Sequence, residues 1–254
     1  MPSILEGAKQ EVQATRKPWY YVSRTARLLL VAYAIQLTLF GLLAWWVHYH
    51  PILPVDVAIT REFQENPAPW LKIAMIAVSY PGSTFILPAL ILLTALIFWL
   101  IGLRLEAVFV IGLSVVSTIV NFSLKLLVER PRPKAGLIDV FQGAAGGSFP
   151  SGHVMEYLAF WGLLFSFTII LFTGVRWWRI LLLVISALFI VLIGPARVYL
   201  GDHWASDVLG SYLIGGVLLG IALWIYLKLK ERGVLETKRA RKRTQKSKLF
   251  RSFS

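Results

Sequence analysis

Residues 28–47 read L-L-L-V-A-Y-A-I-Q-L-T-L-F-G-L-L-A-W-W-V, without one charged side chain. At about 1.5 Å of rise per residue, a helix of this length crosses the ~30 Å hydrocarbon core of a bilayer. Five further apolar runs follow, at 83–103, 107–124, 154–175, 180–196 and 208–227. Together they predict an all-α fold, a six-span transmembrane helical bundle over residues 28–227. Between the first two runs, residues 51–82 mix Asp56, Arg61, Glu62, Glu65 and Lys72 with apolar residues and two prolines, Pro67 and Pro69. That pattern predicts a short external amphipathic helix and a surface turn leading into 73–78. Arg104 and Glu106 predict a tight turn, and the glycines Gly143, Gly146 and Gly147 predict a loop over 134–149.

Composition agrees with a membrane bundle: 57% of the residues are hydrophobic and 15% charged, outside the range of an ordinary soluble domain. No cysteine is present, which excludes disulfides, thiol catalysis and Cys-ligated metals. The net charge of +13 is unevenly placed. With six spans, one side of the membrane holds the five basic residues of the polar leader 1–27 (Lys9, Arg16, Lys17, Arg24, Arg27), then Arg104, Arg176, Arg179 and the eleven of the tail 228–254. The other side holds Arg61, Lys72, Lys125, Arg130, Arg132, Lys134 and Arg197. This asymmetry predicts that both termini are cytoplasmic. The leader reads as an uncleaved start, since no small-residue cleavage site follows the apolar run. The tail, with Lys238, Arg239, Arg241, Lys242 and Arg243, reads as a solvated segment resting on anionic lipid rather than a nucleic-acid arm. His48 and His50 could pair on a metal, but beside Trp45, Trp46 and Tyr49 they read as interfacial side chains.

Three polar clusters break the apolar pattern. Residues 196–207, A-R-V-Y-L-G-D-H-W-A-S-D, bring together Arg197, His203 and Asp207. On a helix His203 and Asp207 would lie one turn apart on one face. The carboxylate could then hold one imidazole nitrogen and leave the other as a base or nucleophile. Lys125 and Arg132 are seven residues apart, on nearly one helical face, before Pro131 and Pro133 end the helix. Residues 148–153, S-F-P-S-G-H, approach a helix start, where Ser151 can cap and Gly152 lets backbone N–H groups approach an anion. Singly, each cluster has a bland alternative: interfacial His and Asp, snorkelling cations, an ordinary cap. The predicted topology brings all three to one end of the bundle, and the bland alternatives lose weight together. Glu156 reads as a buried carboxylate paired with a neighbouring helix, and Asp202 as a loop carboxylate at the mouth of the site.

On these residues the chain resembles the type 2 phosphatidic acid phosphatase superfamily. Lys125 and Arg132-Pro133 match its K-x6-R-P element, Pro150-Ser151-Gly152-His153 its P-S-G-H element, and Arg197, His203 and Asp207 its S-R-x5-H-x3-D element, with Ala196 in place of the usual serine. The resemblance implies that His203 is a nucleophile forming a phosphohistidine and that Asp207 orients it. It implies that His153 protonates the leaving oxygen and later activates water. Lys125, Arg132, Ser151, Gly152 and Arg197 would bind the phosphoryl oxygens. No metal and no cofactor is expected, because fixed cations and helix N–H groups can supply the charge stabilisation.

The expected activity is hydrolysis of a lipid phosphate monoester or diphosphate at the external leaflet of a bacterial inner membrane. A polyprenyl diphosphate such as undecaprenyl diphosphate fits first, then phosphatidic acid and phosphatidylglycerol phosphate, because the 134–149 loop adds no domain for a large headgroup. Two alternatives keep the same residues: a phosphotransferase that passes the phosphoryl group to an acceptor other than water, and a non-catalytic membrane protein with a fossil site. The superfamily's haloperoxidases are soluble, and this chain is not.

Overall fold

The computed structural model describes residues 24–65, 68–143, 145–172 and 174–235. Most of the leader, and the tail beyond Leu235 with Lys238, Arg239, Arg241, Lys242 and Arg243, lie outside the described residues. Within them the fold is all-helical, with eight α-helices: α1 Arg24–Tyr49, α2 Pro54–Gln64, α3 Pro69–Ser79, α4 Ile86–Leu100, α5 Arg104–Val128, α6 Gly152–Leu171, α7 Trp177–Tyr199 and α8 Ala205–Glu231. Five of them (α1, α5, α6, α7 and α8) are long and apolar enough to cross a membrane.

The predicted second span takes a different form. Helix α4 has 15 residues, too few to cross the hydrocarbon alone. It joins α3 through a 3-10 turn at Tyr80–Gly82, and the pair passes as a sixth span only with a bend of 55°. Pro81 lacks the N–H that a straight helix would need there. The region 51–82 therefore carries two helices, α2 and α3, instead of one amphipathic helix and a surface turn.

Helix α6 is the axis of the bundle. Its most apolar window is 56% buried, against 6% for α1, which lies at the periphery. It packs on α5, α7 and α8. Leu163 and Phe167 of α6 meet Val110 of α5 and Tyr226 of α8 in one apolar cluster. Val154 and Tyr157 meet Ile193 and Val198 of α7 in a second. Exposed Leu, Ile and Val side chains run along α1, α4, α5 and α7, the surface a bilayer would cover. At the end of the bundle away from the polar clusters, Glu106 is buried in the first turn of α5 rather than in a surface turn. It accepts hydrogen bonds from Tyr226 Oη at 2.7 Å and Lys230 Nζ at 2.5 Å, so Lys230 is held to the bundle while Lys228 and Glu231 of the same turn stay exposed.

Pro195 lies inside α7, and the helix continues past it to Tyr199, which places Arg197 in its last turn rather than beyond the span. Gly201 then turns the chain with φ +73°. A Cβ there would stand 2.2 Å from the Asp139 carbonyl oxygen, because the 134–149 loop crosses the turn and Phe141 N–H bonds Leu200 O at 3.0 Å. Left-handed backbone costs a non-glycine residue about 1–2 kcal/mol, before any clash. Gly201→Ala should therefore lower the thermal midpoint of the detergent-solubilised protein. Gly41→Ala, at a helical site with nothing within 4 Å, should leave it unchanged or raise it.

Candidate active site

The three polar clusters converge at one end of the bundle, on the end of α5, the start of α6, the α7–α8 turn and the start of α8. Helix α5 stops at Val128 because Glu129 takes a left-handed conformation, φ 50°, with its N–H on Lys125 O. Beyond it Arg130 and Arg132 each precede a proline, which favours extended backbone. Lys125 thus sits in the last helical turn and Arg132 in an extended segment. The expected shared helical face does not form. Lys125 is half-buried and has no ion-pair partner among the described residues.

His203 and Asp207 likewise do not share a helix. His203 belongs to the turn and Trp204 is the N-cap of α8. Asp207 stands three residues into the helix and accepts the Trp204 N–H on Oδ2 at 2.9 Å. The capping geometry turns the carboxylate back toward the preceding residue, and Oδ2 lies 3.5 Å from His203 Nδ1. On the other side of the ring, Arg132 Nη1 lies 3.3 Å from Nε2 and also donates to Asp202 O at 2.9 Å. A guanidinium can only donate, so Nε2 must present its lone pair and the ring proton sits on Nδ1, facing Asp207. Burial first, then the charges of Arg197, Arg132 and Lys125, holds the His203 imidazole well below the ordinary value of 6.5. The ring is therefore neutral at pH 7, with a bare Nε2 aimed at a cation.

His153 occupies the second position of α6, and the charges of Arg197, Lys125 and Arg132 all reach its ring. Gly82, in the bend between α3 and α4, backs directly onto it: a Cβ there would stand 2.5 Å from His153 Cδ2. Ser151 occupies the N-cap position of α6, but its hydroxyl makes no capping bond; it is buried and without a partner. Its N–H donates instead to Ser211 Oγ at 2.7 Å. Asn121 of α5 secures this turn by donating to Pro150 O at 3.0 Å, and its Oδ1 lies 3.2 Å from where a Gly152 Cβ would be. Arg197 is buried and pairs with Asp202 at 2.6 Å, with Nη1 on Ser79 Oγ at 2.7 Å. Asp202 is thus a buried partner of Arg197 rather than a carboxylate at the mouth.

Two residues without a sequence assignment hold the site together. Arg130, 1% exposed, reaches Asp207 Oδ1 through Nη1 and Asp56 Oδ2 through Nη2, each at 2.6 Å. Nη1 also donates to Ser206 Oγ at 2.7 Å, and Nε to Pro51 O at 2.9 Å. Asp56, equally buried, accepts the Ser206 N–H at 2.9 Å. Helix α2 is therefore fixed onto the start of α8 by a carboxylate. Gln64 at its far end bridges Asp139 and Tyr199. The R-P-R-P spacing was the available signal for Arg130. For Asp56 there was none, since only the fold brings it near position 207. His48 and His50 diverge: His48 Nδ1 donates to Val128 O, while His50 stacks on Trp46.

Comparison with known proteins converges on one family. A model of the PAP2 superfamily matches residues 103–231. The chain is 30% identical to phosphatidylglycerophosphatase B of Bacillus subtilis (strain 168) over 197 residues, covering 75% of this chain and 93% of that protein. It is 31% identical to the putative undecaprenyl-diphosphatase YbjG of Escherichia coli (strain K12), over 63% of this chain and 76% of that one. Among solved structures, a transmembrane PAP2-type phosphatidylglycerolphosphate phosphatase from Bacillus subtilis superposes with a TM-score of 0.66 at 24% identity, over 78% of this chain and 96% of that one. Aquifex aeolicus LpxE gives a TM-score of 0.51 at 26% identity, over 68% and 96%.

The Arg130 cluster carries its own expectation. Removing one partner from a buried ion pair costs about 3–5 kcal/mol, because the other charge is left uncompensated. Arg130→Ala should therefore destabilise the solubilised protein by that order, as read from its thermal midpoint. Arg61→Ala, whose exposed guanidinium donates to Leu137 O, should change stability by about 0.5 kcal/mol or less.

Proposed function

This chain belongs to the PAP2 superfamily, and we propose that it is an integral membrane phosphatase that hydrolyses a lipid phosphate monoester or diphosphate through a phosphohistidine. The carrying observation is the state of His203: a buried, neutral imidazole with a bare Nε2, a carboxylate behind Nδ1 and a cation in front. An arriving phosphoryl group takes the Arg132 N–H in place of Nε2, which frees the lone pair for in-line attack on phosphorus. As the P–O bond to the lipid breaks, a P–N bond to His203 forms and Nδ1–H gains positive character. Asp207 stabilises that imidazolium, and Arg130 holds the carboxylate in place.

His153 gives a proton to the departing oxygen and takes one back from the water that later attacks the P–N bond. Lys125, Arg132 and the N–H groups at the start of α6, around Ser151 and Gly152, face the phosphoryl oxygens. Arg197, whose N–H groups rest on Asp202, Ser79 and Gln142, adds its charge from behind. Fixed cations carry the charge that a metal would otherwise meet. No three His, Asp or Glu side chains are grouped for a metal among the described residues.

The relatives named for phosphatidylglycerophosphate and undecaprenyl diphosphate hydrolysis support a lipid substrate. So does the surface, since apolar side chains surround the bundle up to the site. The charge asymmetry supports cytoplasmic termini, an external site in a bacterial inner membrane, and a basic tail lying on anionic lipid.

The test is phosphate release by the purified protein in detergent–lipid micelles, with and without excess EDTA. Phosphatidylglycerophosphate, phosphatidic acid and undecaprenyl diphosphate are compared with glucose phosphate. Release from at least one lipid, unchanged by EDTA and far more efficient than from glucose phosphate, is the expected outcome. Full loss of activity in EDTA, restored only by a divalent ion, would contradict the metal-free chemistry. Equal efficiency on glucose phosphate would contradict the lipid substrate.

A further inference from the structure

Glu156 is a carboxylate that the proposed chemistry does not use. It lies one helical turn beyond His153 on α6, half-buried, and accepts a hydrogen bond from Thr118 Oγ1 of α5 at 2.9 Å. Among the described residues no Lys or Arg pairs with it, unlike Glu106, which is held by Lys230. A carboxyl placed at membrane depth without a counter-charge is costly, and such groups are retained where they contact something else.

That something has room. Glu156, Thr118 and Ser114 line a cavity of about 530 Å³ between α4 and α5, with Ser83 and Thr84 at the Gly82 end and apolar residues such as Leu87 and Ile91 along the walls. The Ser114 hydroxyl is buried, at 6% exposure, and has no hydrogen-bond partner. Leu92 and Ile119, at 60% and 59% exposure, mark the side where the cavity meets the bilayer surface. At its other end the lining includes Gly82, the residue that backs onto His153. The cavity thus runs from the lipid-facing surface to Gly82, whose other side meets the ring assigned to the leaving oxygen. A plain hydrocarbon there would leave the Ser114 hydroxyl without a partner and the Glu156 carboxyl with Thr118 alone, at about 1–3 kcal/mol for an unmet group.

We infer that this cavity receives the leaving portion of the substrate, and that Glu156, with Thr118 and Ser114, reads oxygen atoms close to the transferred phosphate. The inference rests on the phosphatase function proposed above. The matching chemistry is a glycerol-based lipid phosphate, whose leaving portion carries a hydroxyl or an ester within a few bonds of the phosphorus. A carboxyl can accept from the first or, when protonated, donate to the second. A polyprenyl diphosphate offers neither. Its leaving oxygen belongs to a second phosphate, and beyond that phosphate the chain is hydrocarbon with no oxygen for Glu156 to meet. The cavity therefore favours the glycerol lipids over the polyprenyl substrate that loop length alone placed first.

The test compares kcat/KM on phosphatidylglycerophosphate, phosphatidic acid and undecaprenyl diphosphate for the wild type, Glu156→Gln, Glu156→Leu and Thr118→Val. Glu156→Leu should lower the ratio of glycerol-lipid to polyprenyl efficiency about tenfold, the loss of one or two hydrogen bonds. Glu156→Gln, which keeps an acceptor and a donor, should restore most of it. Thr118→Val, at an exposed position of α5, should move the ratio the same way by less and keeps the comparison open if Glu156→Leu fails to fold. A loss confined to phosphatidylglycerophosphate assigns the contact to the headgroup hydroxyl; a loss on both glycerol lipids assigns it to the ester region. An active enzyme whose ratio is unchanged, or whose three activities fall equally, overturns the inference alone. A wild type that releases phosphate from none of the three lipids overturns the phosphatase function and the inference with it.

Discussion

The pairing of Arg130 with Asp207 and Asp56 is the constraint on which the rest of the site depends. A fully buried guanidinium tolerates its loss of hydration only when its N–H groups are met, and here two carboxylates, a serine hydroxyl and a backbone carbonyl meet them. The partners come from three parts of the chain besides Arg130's own, Ser206 and Asp207 being neighbours on α8. Arg130 comes from the segment after α5, Asp207 from α8, Asp56 from α2 and Pro51 from the α1–α2 connection. The cluster therefore fixes the relative positions of four segments at the end of the bundle where lipid packing is least able to do so. It also holds Asp207 Oδ1 at 2.6 Å, which keeps the carboxylate on the Nδ1 side of the His203 ring.

Much of this was legible in the sequence, and the reasons it was differ from place to place. Long charge-free runs have one stable solution in lipid, so five of the six spans follow from hydropathy alone. The three spaced motifs carry the family resemblance, and the bundle does bring Lys125, Arg132, Ser151, His153, Arg197, His203 and Asp207 to one end. Local geometry was less accessible. Equal spacing on an ideal helix suggested that Lys125 faced Arg132 and that His203 faced Asp207. A left-handed residue at 129 and a helix start at 205 break both patterns. The bend at Tyr80–Gly82 was hidden inside an apolar run, though it is the point where the chain meets both Arg197, through Ser79, and His153, through Gly82. Asp56 looked like one more charge on an amphipathic helix, because a buried partner 150 residues away leaves no trace in local pattern.

The architecture separates the two demands that the proposed function makes. Charge is concentrated at the bundle end, where Lys125, Arg132 and Arg197 lie close enough to act on the same pair of histidines. Apolar surface continues to its edge, so a phosphate can enter while its hydrocarbon stays in lipid. Burial keeps His203 neutral, and neutrality is what a nitrogen nucleophile requires. The same cations that would repel a proton attract a phosphate. The cavity between α4 and α5 repeats this division on a smaller scale, with Glu156, Thr118 and Ser114 set among apolar walls.

The central claim is that His203 carries the phosphoryl group, and trapping that species tests it most directly. The purified protein is mixed with lipid substrate labelled in the transferable phosphoryl group, quenched in alkali, where phosphohistidine survives, and mapped by peptide mass spectrometry. The label is expected on His203 in the wild type. It is expected there also in His153→Ala, where loss of general acid–base help slows both steps by about 10²–10⁴-fold. No label and no turnover are expected in His203→Ala. A label on any other residue, or turnover that persists in His203→Ala, would contradict the account.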